Sequence, residues 1–278
     1  MNRPSNTLRP NGLRKFSANL GFLWRELTLP DAIHAAQISA FDAVECHRPY
    51  HEDPEQVATA LAATGLPMLS INTRGGDADK GEAGLSALPG RESEALEHIE
   101  EALAYADAID AAAIHVMAGI VEDGDFAHRA ARTAFVSNLD FAARKAAARG
   151  RNILIEPLAR QSFPGYFLDS CGLAREVIEE VGKPNIKLLF DTWNLHLLEG
   201  DSTSLVDLFE RHLSIVGHIQ FAAVPDRGPP DHGDIDYADF LAQVDRLGYF
   251  APLGAEYIPP AGDTKASLGW MKRLRQRD

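Results

Sequence analysis

Cysteine is nearly missing from this sequence: Cys46 and Cys171 are the only two in 278 residues. That excludes a disulfide-stapled fold and a Cys-rich zinc module, and it predicts a reducing, cytoplasmic location with both thiols as buried filler. Positive charge is scarce as well, with 27 Lys plus Arg against 40 Asp plus Glu and a formal net charge of −13. The basic residues are dispersed apart from an N-terminal stretch and the last helix, so no nucleic-acid partner is expected. No apolar run approaches the roughly 20 residues that cross a bilayer, so no membrane partner is expected either. Residues 1–14, rich in Asn, Pro and Arg, read as a flexible N-terminal extension rather than a signal peptide. A glycine-rich phosphate turn is also lacking, since Leu20-Gly21-Phe22-Leu23 after the first β-like run offers a single glycine. A dinucleotide cofactor is therefore a weak reading.

What is present is an ordinary globular composition, 45% hydrophobic and 24% charged, in a chain long enough for one α/β barrel of about 250 residues or two smaller domains. From Lys15 onward short β-like runs alternate with longer helical ones. The candidate strands are Lys15 to Leu20, Phe41 to Cys46, Pro67 to Asn72, Ala112 to Met117, Asn152 to Glu156, Ile186 to Asp191, Ile215 to Gln220 and Pro252 to Glu256. Helical spacing of apolar residues places helices at Pro54 to Thr64, Glu92 to Ile109, Ala127 to Arg149, Gly172 to Val181, Leu205 to His212 and Tyr237 to Leu247, with Gly150 stopping the longest. The economical fold is a single-domain α/β (β/α)8 TIM barrel over residues 15–278, with a doubly wound sheet as the structural rival.

In such a barrel chemistry gathers at the C-terminal strand ends. Polar residues stand there at Glu45, Asn72, His115, Glu156, Asp191, Gln220 and Glu256. Four of them, Glu156, Asp191, Gln220 and Glu256, end four successive strands, and neighbouring strands lie about 4.8 Å apart. Their side chains can converge on one ion, and three carboxylates meeting without a cation would repel one another. Oxygen donors without cysteine favour a hard divalent ion, Mg²⁺ or Mn²⁺. Taken singly, each acid also reads as a solvated strand end or a helix cap. His218, two residues before Gln220, reads as a packed histidine one layer deeper rather than a ligand.

At these residues the sequence resembles the xylose isomerase-like barrel superfamily and, within it, the hydroxypyruvate isomerase and 2-oxo-tetronate isomerase group. The likeness runs from Phe16 to Met271 through FSANL, the loop Asn72 to Arg91, LIEP at Leu154 to Pro157, GHIQ at Gly217 to Gln220 followed by Pro225 and Arg227, HGDIDY at His232 to Tyr237, and AEYIP at Ala255 to Pro259. The resemblance implies a metal-dependent isomerase in which Glu156, Asp191, Gln220 and Glu256 hold the ion while Glu156 and Glu256 flank the substrate and move protons. It also marks departures. The family tends to carry His three residues after the strand-six Asp, where this chain has Asn194 with a histidine displaced to His196. Ile71-Asn72, Gly76-Asp77-Ala78 and Gln220-Phe221-Ala222-Ala223 depart likewise from His-Asn, Gly-Asp-Trp and Gln-Ile-Ala-Asp. The metal set is intact while the substrate shell has changed.

Isomerising an α-hydroxy carbonyl moves a proton between neighbouring carbons through an enediolate, with two carboxylates as base and acid and a divalent ion stabilising the charge. The acid group of a keto-acid substrate needs a cationic clamp, for which Arg227 in a Pro-rich loop is the first choice. Arg48, Arg74 and Arg91 read as structural loop arginines. His115 reads equally as a core histidine or as a substrate-polarising one, and Asn194 joins the expected substrate contacts. The expected ligand is thus a small sugar or keto acid, and a homo-oligomer is left open. The same metal site would also serve an epimerase, dehydratase or decarboxylase, a reading Asn194 favours. A non-catalytic sugar-binding barrel and a multi-zinc repair endonuclease are further alternatives, the last disfavoured by the negative charge and by the lack of a histidine-rich ligand set.

Overall fold

The computed structural model describes residues 12–200 and 202–277. Eight strands, β1 (Phe16–Asn19), β2 (Ala43–Cys46), β3 (Met68–Asn72), β4 (Ala113–His115), β5 (Asn152–Ile155), β6 (Ile186–Asp191), β7 (Val216–Phe221) and β8 (Leu253–Ala255), follow one another in spatial order and close into a barrel. Closure is made by parallel pairing of β1 with β8, Phe16 opposite Leu253 and Ala18 opposite Ala255. An open doubly wound sheet would leave two unpaired edges, so the rival architecture is excluded.

Helices alternate with the strands because each crossover carries an apolar stripe and local start and stop chemistry. The Asp53 side chain accepts from the Glu55 amide ahead of α2 (Pro54–Thr64), Pro54 sits in its first turn, and Gly65 ends it at φ 70°. The Ser170 hydroxyl caps α5 (Cys171–Val181) in the same way. Both α2 and α3 (Glu92–Ile109) have the bounds the periodicity predicts. The long helix α4 (Asp125–Ala147) begins and ends two residues earlier than expected, and Gly150 takes its positive φ beyond the cap residue Ala148. Besides the short C-terminal helix, two helices lie outside the ranges the periodicity gives. One is α1 (Leu29–Ile38), capped by Thr28. The other is α6 (Thr192–Glu199), which begins directly on Asp191 with no intervening loop, so strand and helix periods run into one another. The remaining helices are α7 (Leu205–His212), α8 (Tyr237–Arg246) and α9 (Trp270–Leu274). Among the described residues no helix is long and apolar enough to cross a membrane.

Alternation along the strands divides the core in two. Phe16, Val44, Ile71, Ile114, Ile153, Phe190 and Ile219 belong to the large apolar layer. A small separate cluster of Ala113, Leu154 and Leu189 holds the remaining apolar contacts. Ser17, Asn19, Glu45, Ser70, His115, His218 and Gln220 are buried polar residues on the same alternate positions as that small cluster, so the barrel interior is unusually polar.

The boundary of the N-terminal extension needs correcting. Residues 1–11 lie outside the described residues, but Arg14, assigned to the extension, is buried: Nε donates to Asp245 Oδ2 at 2.9 Å and Nη1 donates to the carbonyls of Leu274 and Gln276. A guanidinium that satisfies C-terminal carbonyls belongs to the barrel. Both cysteines are buried, and burial pushes their thiols up to about 12, as expected of filler.

Trp270 on α9 is almost wholly buried and meets Phe16 at 4.9 Å and Phe221 at 5.4 Å edge-on, tying the C-terminal helix to β1 and β7. Trp270→Ala is expected to lower unfolding free energy by about 3–5 kcal/mol in urea titrations. A loss under about 1 kcal/mol would show that the C-terminal helix contributes little to barrel stability.

Candidate active site

The C-terminal mouth of the barrel brings together the residues that the strand ends single out. One carboxylate oxygen each from Glu156, Asp191 and Glu256 lies within 4.8 Å of the others, and all three side chains are buried. Register explains the convergence: Asp191 pairs with Gln220 across β6 and β7, and Gln220 pairs with Gly254 across β7 and β8. A side chain at Gly254 would displace its neighbours in this ladder, because a Cβ there would stand 2.5 Å from Glu45 Oε1 and 2.9 Å from Gln220 Cγ. A cavity of about 220 Å³ opens above, with Glu156, Glu256 and His115 in its wall. That is below the roughly 300–1,000 Å³ of sites for drug-sized ligands, so the cavity suits a small metabolite.

Each carboxylate has a distinct environment. Asp191 caps α6, its Oδ1 accepting from the Trp193 amide at 2.8 Å. The Asn194 amide bridges two acids, donating to Asp191 Oδ2 at 2.7 Å and to Glu156 Oε1 at 2.9 Å, while its own oxygen accepts from the Ala159 amide. Asn194, expected to contact substrate, is engaged by the two acids and is not among the residues of the cavity wall. Glu256 accepts from His47 Nε2 at 2.6 Å, Asn19 Nδ2 at 3.0 Å and Arg227 Nη2 at 2.6 Å.

Proton affinities follow from these partners. Burial, then the charges of Asp191 and Glu256, raises Glu156 well above the usual carboxylate range. Burial and the charge of Glu256 push Asp191 up to about 7. Burial acts upward on Glu256 too, but Arg227 and His47 outweigh it and hold that carboxyl at about 2. Burial pushes His115 down to about 4, leaving a neutral imidazole. Both its ring nitrogens are buried without a hydrogen-bond partner, Nδ1 lying 3.6 Å from Glu156 Oε2.

Arg227 is held in the left-handed region at φ 55°, with its guanidinium between Trp193 at 4.5 Å and Phe22 at 4.7 Å. Its Nη2 is engaged by Glu256 and, at 3.5 Å, by Asp191, while its Nε is buried without a hydrogen-bond partner and the residue forms part of the cavity wall. Arg74 and Arg91 are structural, as expected, paired with Glu101 and with Glu82 and Glu94. His218 is packed rather than coordinating, donating to Glu45 Oε2 at 2.6 Å. The sequence reading missed three contributors: His47, Asn19 and the role of Glu45. His47 lies two residues past Glu45 and so shares its face, a signal the strand-end rule could have used.

The residues fit a divalent cation. Fully ionised, the three carboxylates against one guanidinium leave two negative charges, and each pair of like charges at this separation costs about 3–4 kcal/mol at an effective dielectric of 20. Gln220 supplies the second observation. Its Nε2 donates to Glu45 Oε1 at 2.7 Å, which leaves its Oε1 buried with no partner, an acceptor that a cation would satisfy.

Known proteins resemble the chain over most of its length. The family model of the xylose isomerase-like TIM barrel matches residues 33–274. The 2-oxo-tetronate isomerase of Cupriavidus necator is 40% identical over 259 residues, spanning 93% of this chain and 97% of that protein. The hydroxypyruvate isomerase of Escherichia coli is 31% identical over 261 residues, spanning 94% and 99%. A Brucella melitensis crystal structure described as AP endonuclease, family 2, superposes with a TM-score of 0.88 at 33% identity, covering 95% of this chain and all of that one.

Glu45 fixes which way the Gln220 amide points, so Glu45→Gln is expected to keep the fold and weaken divalent-ion binding by about 10- to 100-fold in calorimetric titration. Unchanged affinity for Mg²⁺ and Mn²⁺ would remove Gln220 from the ligand set.

Proposed function

This chain belongs to the xylose isomerase-like TIM barrel family, and we propose that it is a metal-dependent isomerase of a small hydroxylated keto acid, exchanging carbonyl and hydroxyl between neighbouring carbons. The observation that carries this reading is the buried triad Glu156, Asp191 and Glu256 beneath a small cavity, with the Gln220 oxygen buried without a partner on the strand position paired with Asp191. Those four residues would hold one Mg²⁺ or Mn²⁺. When bound, such an ion supplies Lewis-acid stabilisation of the negative charge that develops on the two reacting oxygens.

The side chains account for the proton movements. Arg227 and His47 keep Glu256 ionised, so it is the carboxylate that removes the proton from the hydroxyl-bearing carbon. Glu156, the other triad carboxyl in the cavity wall, delivers a proton to the former carbonyl carbon. The reverse reaction exchanges the two roles. The hydroxyl proton must also pass from one substrate oxygen to the other. Neutral His115, with two unpartnered ring nitrogens in the cavity wall, is placed to give and take it. Asn194 acts by fixing Glu156 and Asp191 relative to one another. Product analysis by NMR separates this isomerase from an epimerase, dehydratase or decarboxylase working through the same acids.

The test is carbon-bound proton exchange in D₂O, with hydroxypyruvate or a 2-oxo-tetronate as substrate and Mg²⁺ or Mn²⁺ present. Glu156→Gln keeps an oxygen donor and removes the proton carrier, so ion binding should persist while turnover falls about 10²- to 10⁴-fold. Near-normal exchange by this variant with ion bound would end the two-carboxylate mechanism.

A further inference from the structure

An acid substrate brings its own negative charge to a mouth already crowded with carboxylates, so some cation must receive it. Six arginines stand in loops after the barrel strands, and the structure separates them: Arg25 is not in the wall of the cavity, and Arg160 pairs with Asp169 at 2.5 Å. The Arg74 guanidinium forms a two-pronged pair with Glu101 and lies 4.6 Å from the Tyr50 ring centre. Arg91 is held by Glu82 and Glu94. Arg227, in the wall of the same cavity, gives its Nη2 to Glu256 and lies between two aromatic rings. Arg48 is different: it is exposed, it forms part of the wall of the same cavity as Glu156 and Glu256, and no hydrogen bond or ion pair holds its guanidinium among the described residues.

The Arg48 guanidinium passes close to the facing loop. Gly75 has no positive φ that would demand glycine, yet a Cβ there would stand 2.8 Å from Arg48 Nη1. The loop thus omits a side chain where the guanidinium passes over it. The one carboxylate of that loop in the cavity wall, Glu82, is occupied by Arg91 Nη1 at 2.8 Å and by the Asp77 amide at 2.7 Å, so it does not compete for Arg48.

We propose that Arg48 receives the carboxylate of the substrate at the cavity mouth and so selects keto acids over neutral ketoses, a specificity role that rests on the isomerase reading. Arg227 keeps Glu256 ionised, and Arg48 anchors the acid group with its planar fork of donors.

The experiment measures binding to the full-length protein by calorimetry, using hydroxypyruvate and its neutral counterpart dihydroxyacetone, in which a hydroxymethyl group replaces the carboxylate. The wild-type protein should prefer the acid, and Arg48→Gln should reduce that preference by about 10- to 100-fold, the value of charge-assisted hydrogen bonds. Arg48→Lys, a point charge in place of a fork, should fall between the two. Gly75→Ala leaves the charge in place but displaces the guanidinium, so it should reduce the preference in the same direction. Arg227→Gln should instead lower the rate of carbon-bound proton exchange. An acid preference that survives Arg48→Gln, is lost only in Arg227→Gln, or is missing from the wild type would overturn the proposal. Acid preference that depends on Arg48 in a protein that exchanges no carbon-bound proton would uphold the acid site and defeat the isomerase reading instead.

Discussion

The mutual repulsion of Glu156, Asp191 and Glu256 is the constraint from which the rest of the site follows. Buried carboxylates this close are tolerable only with compensating charge and donors, and the surrounding chain supplies them in graded fashion. Arg227 and His47 satisfy Glu256, the Asn194 amide ties Glu156 to Asp191, and a helix start holds Asp191. The residual two negative charges match one divalent ion. A protein of net charge −13 that concentrates further acids at one point does so where cation binding offsets the cost.

Beneath this layer lies a second that decides orientation. Glu45 on β2 reaches across the barrel to accept from both His218 and Gln220 on β7, and Asn19 on β1 links Glu45 to Glu256 on β8. The crossing requires space, which Gly254 leaves open by lacking a side chain. An interior stocked with Ser17, Ser70, His218 and Glu45 sacrifices apolar packing, and the large apolar layer between strands and helices carries the stability that the interior forgoes. Division of labour between the two layers lets the mouth be polar without loosening the barrel.

The fold was legible because burial on both faces and crossover helices impose periods that a sequence displays directly: all the strands stand where short apolar runs predict them, within one or two residues. The rule failed at α6, where Asp191 ends a strand and caps a helix at once, so that neither period has room to declare itself. It failed again at Arg14, whose polarity suggests solvent although its donors serve the C-terminal carbonyls. Such long-range partners, more than two hundred residues away, leave no local trace.

In the site, the sequence by itself determined the identity and level of the polar strand ends, because strand length and the parallel barrel place every C-terminus on one rim. Glu156, Asp191, Gln220 and Glu256 needed nothing more to be grouped. Tertiary structure alone decided how each is used. It engages Arg227 Nη2 on Glu256, leaves the Arg48 guanidinium unpaired among the described residues near Gly75, ties Asn194 to Glu156 and Asp191, and leaves the Gln220 oxygen without a partner by anchoring its nitrogen on Glu45. The physical reason is that a donor's role depends on which acceptors lie within about 3 Å of it, and those distances are set by strands far apart in the chain.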